Sequence, residues 1–163
     1  EMKVGEPEFM LFPIGGGGLG SGKLLAAKYF CPKAKRIGVE PELAKDAYLS
    51  LQQNKIHPQL PPKTIADGLR TSLGSLTFPL IRDNIEDVVL VTEKEIIDAM
   101  RLVFERMKIV IEASSATVVA AVMKDPKRYA GKKVAAIISG GNVDFTDYFS
   151  NLEKIWVPAA SKL

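Results

Sequence analysis

A run of glycines constrains this chain more than any other part of its sequence. Residues 15–18 are four consecutive glycines, and Gly20 and Gly22 follow them closely. An apolar run of strand length, residues 9–14, precedes the glycines, and a helix-forming segment, residues 19–30, follows. Glycine tolerates positive φ and leaves backbone N–H groups unobstructed at the start of a helix, where the helix dipole favours an anion. The segment therefore predicts a phosphate-binding loop.

Three kinds of phosphate site use such a loop, and the sequence fits each of them in part. Residues 17–23 fit the nucleoside-triphosphate pattern G-x-x-x-x-G-K, but Leu24 stands where a magnesium-binding Ser or Thr is needed. Residues 15–20 fit the dinucleotide pattern G-x-G-x-x-G, and Glu40 ends the next strand, where a ribose-binding acid belongs. No second half with hydride-transfer residues is evident. The third alternative is a tetraglycine that holds the single phosphate of pyridoxal phosphate.

Strands and helices alternate along the chain. Strands are predicted at residues 9–14, 36–40, 87–91 and 133–138, and helices at residues 19–30, 42–53, from Thr92 onward, and 115–123. This alternation predicts the α/β class, with an open, mostly parallel twisted sheet that carries helices on both faces. Ligands of such sheets collect at the carboxyl ends of the strands, so the two glycine-rich loops at residues 15–18 and 139–142 can line one crevice.

Local patterns refine this outline. Thr92 and Glu95 form a capping box ahead of an apolar stripe at helical spacing: Ile96, Ile97, Met100, Val103, Phe104 and Met107. Leu24, Leu25, Ala27 and Phe30 are expected to form most of the inner face of the first helix. Residues 133–138 are apolar enough to predict a strand inside the sheet, covered on both faces. Residues 125–129 are predicted to be a loop, residues 64–70 to line the site, and His57 to be exposed.

Composition excludes several classes of protein. The 163 residues, 47% of them hydrophobic, suit one α/β domain spanning residues 1–163. The net charge of +3 is dispersed, so no nucleic-acid partner is expected. The longest apolar runs fall well short of the roughly 20 residues of a membrane span, so no membrane association is expected either. A single cysteine, Cys31, fits a reducing compartment, and a cytoplasmic protein is predicted.

Beyond the glycine loop, a series of ordered blocks resembles the pyridoxal-phosphate enzymes of the serine racemase and serine/threonine dehydratase group. The resemblance extends from about residue 9 to about residue 144. The blocks are P-I-G-G-G-G-L at residues 13–19, G-V-E-P at 38–41, A-K-D at 44–46, T-I-A-D-G at 64–68, T-F-P-L-I-R-D at 77–83, E-R-M-K at 105–108 and S-G-G-N-V-D at 139–144.

The resemblance implies a cofactor, a fold and a set of site residues. The fold would be the large domain of a fold-type II pyridoxal-phosphate enzyme. The cofactor phosphate would be bound by Gly15, Gly16, Gly17, Gly18 and Leu19, and the pyridine nitrogen by Ser139. Glu40, Asp46 and the carbonyl of Ala44 would form a magnesium or calcium site. Lys108 and Asn142 would belong to an ATP effector site between subunits. The substrate would be a small hydroxy amino acid, which is dehydrated to a 2-oxo acid and ammonia or racemised.

This chain departs from the family pattern in two respects. The essential lysine that binds the cofactor covalently, and the serine base, lie in the first half of the family enzymes, and no lysine here matches that motif. The expectation is a fragment holding the second half, without a catalytic residue of its own and inactive alone, which functions as a homodimer or paired with the missing half. In addition, residues 112–116 read E-A-S-S-A where the family has E-P-S-G-A, so altered packing beside the cofactor ring is expected.

Overall fold

The backbone forms a four-stranded parallel sheet with helices on both faces. The computed structural model describes residues 5–59, 61 and 63–153. The strands are β1 (Phe9–Pro13), β2 (Lys35–Pro41), β3 (Asp87–Val91) and β4 (Val134–Ala136), and their order in the sheet is β3-β2-β1-β4. All three strand pairs are parallel. The predicted open parallel α/β sheet is therefore confirmed.

Seven α-helices connect and cover the strands in the described residues. They are α1 (Gly18–Phe30), α2 (Asp46–Gln53), α3 (Thr77–Arg82), α4 (Glu93–Met107), α5 (Ala113–Lys124), α6 (Pro126–Tyr129) and α7 (Phe145–Glu153). Two short 3₁₀ helices, Glu42–Ala44 and Asp67–Leu69, lie in the connections. None of the helices in the described part of the chain is long and apolar enough to cross a membrane.

The alternation of side chains along β1 divides the core into two clusters. Leu11 faces a cluster that includes strand residues Ile37, Val39 and Val91 and helix residues Ile96, Met100 and Val118. Phe12 and Ile14 face the other cluster, with Leu24, Ala47, Phe78 and Ile81. Because successive side chains of a strand point to opposite faces, one apolar strand supplies both layers.

Helix α1 approaches the sheet through Gly20. A Cβ on Gly20 would lie 2.8 Å from Ile81 Cδ1 and 3.0 Å from Phe12 Cε2, so the close contact depends on a glycine. Leu24 and Ala27 follow on the same side and are buried, as predicted. Leu25 and Phe30, however, are 48% and 74% exposed, so their assignment to the inner face is wrong. They lie outside the buried stripe of Gly20, Leu24 and Ala27.

Several predicted elements differ from those observed. The single helix expected at residues 42–53 is a 3₁₀ turn followed by α2, with the break at Lys45. The expected loop at residues 125–129 contains helix α6, whose start is capped by the Asp125 side chain. Helices α3 and α7 were not predicted, because their short apolar patterns lie among turn residues.

Strand β4 is shorter and less covered than the sequence predicts. It spans three residues and, within the described chain, pairs with β1 alone, so it lies at the edge of the sheet. Val134 and Ala135 are half-buried and Ala136 is exposed, which contradicts the expected coverage on both faces. An apolar run identifies a strand of a parallel sheet, but its position in the strand order depends on long-range pairing.

The capping box at the start of α4 gives a direct test of the local energetics. The Thr92 side chain accepts a hydrogen bond from Glu95 N at 3.2 Å, and Glu95 Oε2 accepts one from Thr92 N at 2.7 Å. We expect Thr92→Ala to lower the free energy of unfolding by about 1 kcal/mol, because the Glu95 amide loses its side-chain acceptor. Thr92→Ser, which keeps the hydroxyl, should stay near wild type. Equal urea midpoints for the alanine and serine variants would contradict this role of the cap.

Candidate cofactor site

The glycine loop turns sharply between β1 and α1. Gly17 precedes α1 with φ of 84° and ψ of −4°, the left-handed conformation that favours glycine. A Cβ at Gly17 would lie 2.8 Å from Leu73 Cδ2 and from Thr77 Cβ, so the position excludes side chains as well. No side chain caps the start of α1. The N–H groups of its first turn are therefore presented to a ligand at the positive end of the helix dipole.

The hydroxyl of Thr77 holds the glycine loop in place through a hydrogen bond to its backbone. Thr77 Oγ1 donates a hydrogen bond to Gly16 O at 2.9 Å and accepts one from Gly74 N at 2.9 Å. This contact ties the loop to the start of α3. Thr77 belongs to one of the family-like sequence blocks, yet its contact with the loop could not be predicted, because the partner lies 61 residues away.

The residues expected to bind the cofactor line one cleft of about 190 Å³. The cleft lies at the carboxyl end of β1, as the topology of a parallel sheet predicts. The structure brings together all six: Gly15, Gly16, Gly17, Gly18, Leu19 and Ser139. A second wall of the cleft consists of Gly68, Leu69, Glu112 and Ser114. Two of these come from the segment at residues 64–70, so its expected contribution to the site agrees with the geometry.

Hydrogen bonds hold that wall in place. Gly68 N donates to Ser114 Oγ at 3.0 Å, which joins the 3₁₀ helix at Asp67–Leu69 to the start of α5. Ile65 N donates to Glu93 Oε2 at 2.7 Å, which joins the same segment to the start of α4. The backbone of this segment is thus attached to two helices.

The loop after β4 that carries Ser139 and Gly140 is attached to α5 by the Ser115 side chain. Ser115 Oγ accepts hydrogen bonds from Ser139 N at 3.1 Å and from Gly140 N at 2.7 Å, and it lies 3.3 Å from Ser139 Oγ. Ser115 is fully buried, and it is not among the residues that line the cleft. Its hydroxyl contacts the loop that carries Ser139, and the altered packing expected beside the cofactor ring stays a prediction.

The cleft distinguishes among the three phosphate sites considered above. Lys23, the lysine of the triphosphate pattern, does not line it. Glu40, the acid of the dinucleotide pattern, is 1% exposed and accepts hydrogen bonds from Ala47 N at 3.2 Å and Tyr48 N at 2.7 Å. Its carboxylate therefore faces the start of α2 and is not available to a ribose in the cleft. The arrangement favours a single phosphate ester.

Glu40 and Asp46 form a buried acidic pair near the end of β2. Each is 1% exposed, and Ala44, between them in sequence, is 2% exposed. Burial raises the pKa of Glu40 to about 8, with a further contribution from the Asp46 charge. Burial also raises the pKa of Asp46 to about 6. Asp46 Oδ2 is buried without a hydrogen-bond partner. The described residues contain no cluster of three or more His, Cys, Asp or Glu side chains of metal-binding geometry.

Two further assignments have mixed outcomes. His57 is half-buried rather than exposed. Its backbone N–H donates to Ser50 Oγ at 2.8 Å, and its ring Nδ1 lies 2.8 Å from Pro58 O. Lys108 ends α4 in a left-handed conformation and is exposed. Asn142 lines a different cavity, of about 330 Å³, together with Arg70, Tyr148 and others, and Lys108 does not line it. The structure of one chain does not bring Lys108 and Asn142 together.

Fold and site together define an α/β domain whose glycine loop lies at the carboxyl edge of a parallel sheet. Residues 1–140 match the family described as pyridoxal-phosphate dependent enzyme, and the chain belongs to that family.

Its relatives include racemases and ammonia-lyases. Serine racemase of Dictyostelium discoideum is 52% identical over 143 residues, which are 84% of this chain and 44% of that protein. L-threo-3-hydroxyaspartate ammonia-lyase of Saccharomyces cerevisiae is 42% identical over 147 residues, 90% of this chain and 45% of that protein. The solved structure of the processed form of threonine deaminase isoform 2 from Solanum lycopersicum superposes with a TM-score of 0.85 at 31% identity, over 93% of this chain and 42% of that one. The chain thus spans somewhat less than half the length of these three relatives.

Neighbouring glycines of the loop are expected to respond differently to the same substitution. Gly17→Ala should lower the free energy of unfolding by about 2–4 kcal/mol, because it combines positive φ with a steric clash. Gly18→Ala should stay within about 1 kcal/mol of wild type, since Gly18 begins a helix and nothing lies within 4 Å of the added Cβ. Urea unfolding of both variants measures the difference. Equal destabilisation would contradict the loop conformation.

Proposed function

We propose that this chain is the cofactor-phosphate-binding part of a pyridoxal-phosphate racemase or ammonia-lyase that acts on small hydroxy amino acids such as serine or threonine. The observation that carries the proposal is the single cleft lined by residues 15–19 of the glycine loop and by Ser139. The proposal is also supported by relatives named as serine racemase and L-threo-3-hydroxyaspartate ammonia-lyase.

The glycine loop has the properties that a phosphate ester requires. The left-handed Gly17 directs the chain into an uncapped helix, so backbone N–H groups and the helix dipole act on the same anion. In this proposal the amides of residues 15–19 hold the phosphate, and the Gly68–Leu69 wall excludes water from one side. Ser139, at the other end of the cleft, hydrogen-bonds the pyridine nitrogen. When bound, pyridoxal phosphate supplies an electron sink for the carbanion left by α-proton removal.

The catalytic groups would come from outside the described cleft. No lysine is among the described residues that line it. We assign the covalent lysine and the serine base to the half of the relatives that this chain does not match, so the chain alone should bind the cofactor without turning over substrate. The choice between elimination and racemisation would depend on the residue at the second face of the ring. The same lack of a lysine favours, as an alternative, a non-catalytic module that binds pyridoxal phosphate or a nucleotide.

Binding measurements on the purified chain test the proposal. Pyridoxal phosphate should bind at least about tenfold more tightly than pyridoxal, because the phosphate makes charge-assisted hydrogen bonds to the loop. Ser139→Ala should weaken binding, whereas Ser75→Ala, at an exposed serine outside the cleft, should not. Borohydride reduction followed by mass spectrometry should find no stoichiometric adduct at one lysine.

Each alternative gives a distinct result in the same measurements. Equal affinities for pyridoxal phosphate and pyridoxal would remove the loop from cofactor binding. Tight binding of NAD or ATP without affinity for pyridoxal phosphate would favour a nucleotide module. A stoichiometric lysine adduct would show that the chain carries its own covalent site.

We further propose that Glu40, Asp46 and the Ala44 carbonyl hold a magnesium or calcium ion. The donors are hard oxygen ligands, as these cations prefer, and waters would complete the shell. Two observations support the fit: the partnerless buried Asp46 Oδ2, and two carboxylates whose pKa values are raised by burial. A cation would compensate both at once.

The acidic pair makes stability depend on pH in a direction that can be checked. In chelator, unfolding free energy should fall as pH rises from about 5 to about 8, because the folded chain holds protons on Glu40 and Asp46 that the unfolded chain releases. Added Mg²⁺ or Ca²⁺ should restore stability at pH 8 and have little effect at pH 5. Glu40→Gln should flatten the pH dependence and remove the cation effect. A cation effect that persists in Glu40→Gln would place the ion elsewhere.

The remaining assignments concern partners and compartment. We propose that Lys108 and Asn142 contribute to an ATP effector site completed between subunits. The chain would work as a homodimer or together with the half that its relatives carry in addition. The exposed apolar side chains of α1, Leu25, Tyr29 and Phe30, form a surface suited to that contact.

The single cysteine, Cys31, is unpaired and fits a cytoplasmic protein.

A further inference from the structure

The number of hydrogen bonds at Ser115 restricts where its proton can point. A serine hydroxyl has one proton to donate and two lone pairs to accept with. Ser139 N and Gly140 N, at 3.1 Å and 2.7 Å, occupy both lone pairs of Ser115 Oγ. Ser115 Oγ therefore has no lone pair left for the Ser139 hydroxyl. In the 3.3 Å contact between the two hydroxyls, Ser115 is the donor and Ser139 Oγ the acceptor.

If Ser115 donates to Ser139 Oγ, the proton of the Ser139 hydroxyl is not used in the contact between the two serines. Ser115 is fully buried, so water does not compete for its hydroxyl. Ser139 is exposed and lines the cleft, so its proton is free to donate to a group bound there. A hydroxyl that accepts one hydrogen bond becomes a better donor in the next one, because hydrogen-bonded chains polarise each other.

We propose that Ser115 is a positioning residue that orients the Ser139 hydroxyl as a hydrogen-bond donor into the cleft. The inference rests on the proposed function, in which the pyridine nitrogen lies against Ser139. A donor at that place pairs with the lone pair of a neutral nitrogen and disfavours a protonated one. Ser115 thereby favours the neutral ring.

The contacts of Ser115 also hold the backbone of the loop that carries Ser139. Removing the Ser115 hydroxyl leaves the amides of Ser139 and Gly140 without their side-chain acceptor. The loop would then be held by fewer contacts, such as Glu112 N to Gly140 O at 3.2 Å. Ser139 would then lose the hydrogen bond that holds its backbone N–H and the hydroxyl neighbour that orients its own hydroxyl.

Hydrogen exchange on the cofactor-free chain tests the tether. In Ser115→Ala and Ser115→Gly, the amides of Ser139 and Gly140 should exchange about tenfold faster than in wild type, relative to core amides such as Ile37. Thr117→Val is the matched control, since it removes a buried hydroxyl of the same helix that donates to Ser114 O at 2.7 Å. The control should leave both amides unchanged. Unchanged exchange in the Ser115 variants would overturn the proposal.

Nitrogen NMR of a labelled ligand tests the orientation. Pyridoxamine 5′-phosphate, ¹⁵N-labelled in the ring, keeps the phosphate and the ring nitrogen but has no aldehyde to react with lysines. Bound to wild type and to Thr117→Val, its ring nitrogen should stay neutral to a lower pH than when bound to Ser115→Ala or Ser115→Gly. Identical titrations in all four proteins would overturn the orienting role.

The two measurements separate this inference from the proposed function. If pyridoxamine 5′-phosphate does not bind wild type, the proposed function fails and the orienting role fails with it, while amide exchange still decides whether Ser115 holds the loop. If the ligand binds and the four titrations coincide, the proposed function stands and the role of Ser115 is rejected.

Discussion

The left-handed turn at Gly17 is the constraint on which the site depends. It reverses the chain between β1 and α1 in a space closed by Leu73 and Thr77. Because a side chain fits neither the backbone conformation nor that space, the turn strongly favours glycine. The turn sets the direction of the first N–H groups of α1, while Gly20 allows the close approach of α1 to the sheet and the Thr77–Gly16 hydrogen bond joins the loop to α3.

Helix α5 supports two further segments that line the cleft, the 3₁₀ helix Asp67–Leu69 and the loop that carries Ser139. Its first residues form adjacent contacts: Ser114 binds the Gly68 amide, and Ser115 binds the amides of Ser139 and Gly140. All residues from 113 to 121 except Val119 are buried, so these serines are attached to a rigid part of the core. The cleft is therefore built by backbone groups held on buried hydroxyls.

Features that depend on local sequence were predictable, and those that depend on distant contacts were not. The glycine loop, the strand before it and the capping box at Thr92 and Glu95 are set by neighbouring residues and were all identified correctly. The edge position of β4 and the exposure of Phe30 depend on which elements pack nearby, and local patterns do not contain that information.

The candidate site shows the same division. The resemblance to the family selected residues that the structure places in one cleft, although motif spacing alone left three kinds of phosphate site open. It could not show that Glu40 is buried against the start of α2, which excludes a ribose-binding role. Nor could it show the use of Ser115, because a serine in place of a glycine looks like added bulk until its hydrogen-bond partners are known.

The acidic pair and the glycine loop are mechanically connected through the sheet. Pro13 is paired with Val39 in the parallel register, and Ile14 N donates to Val39 O at 3.2 Å. Glu40 therefore follows the last backbone contact that holds the chain before it enters the glycine loop. Two carboxylates buried side by side repel each other, and each is stabilised by a proton or by a cation. The Ile14–Val39 hydrogen bond therefore joins the strand that leads to the acidic pair to the residue that precedes the first glycine of the loop.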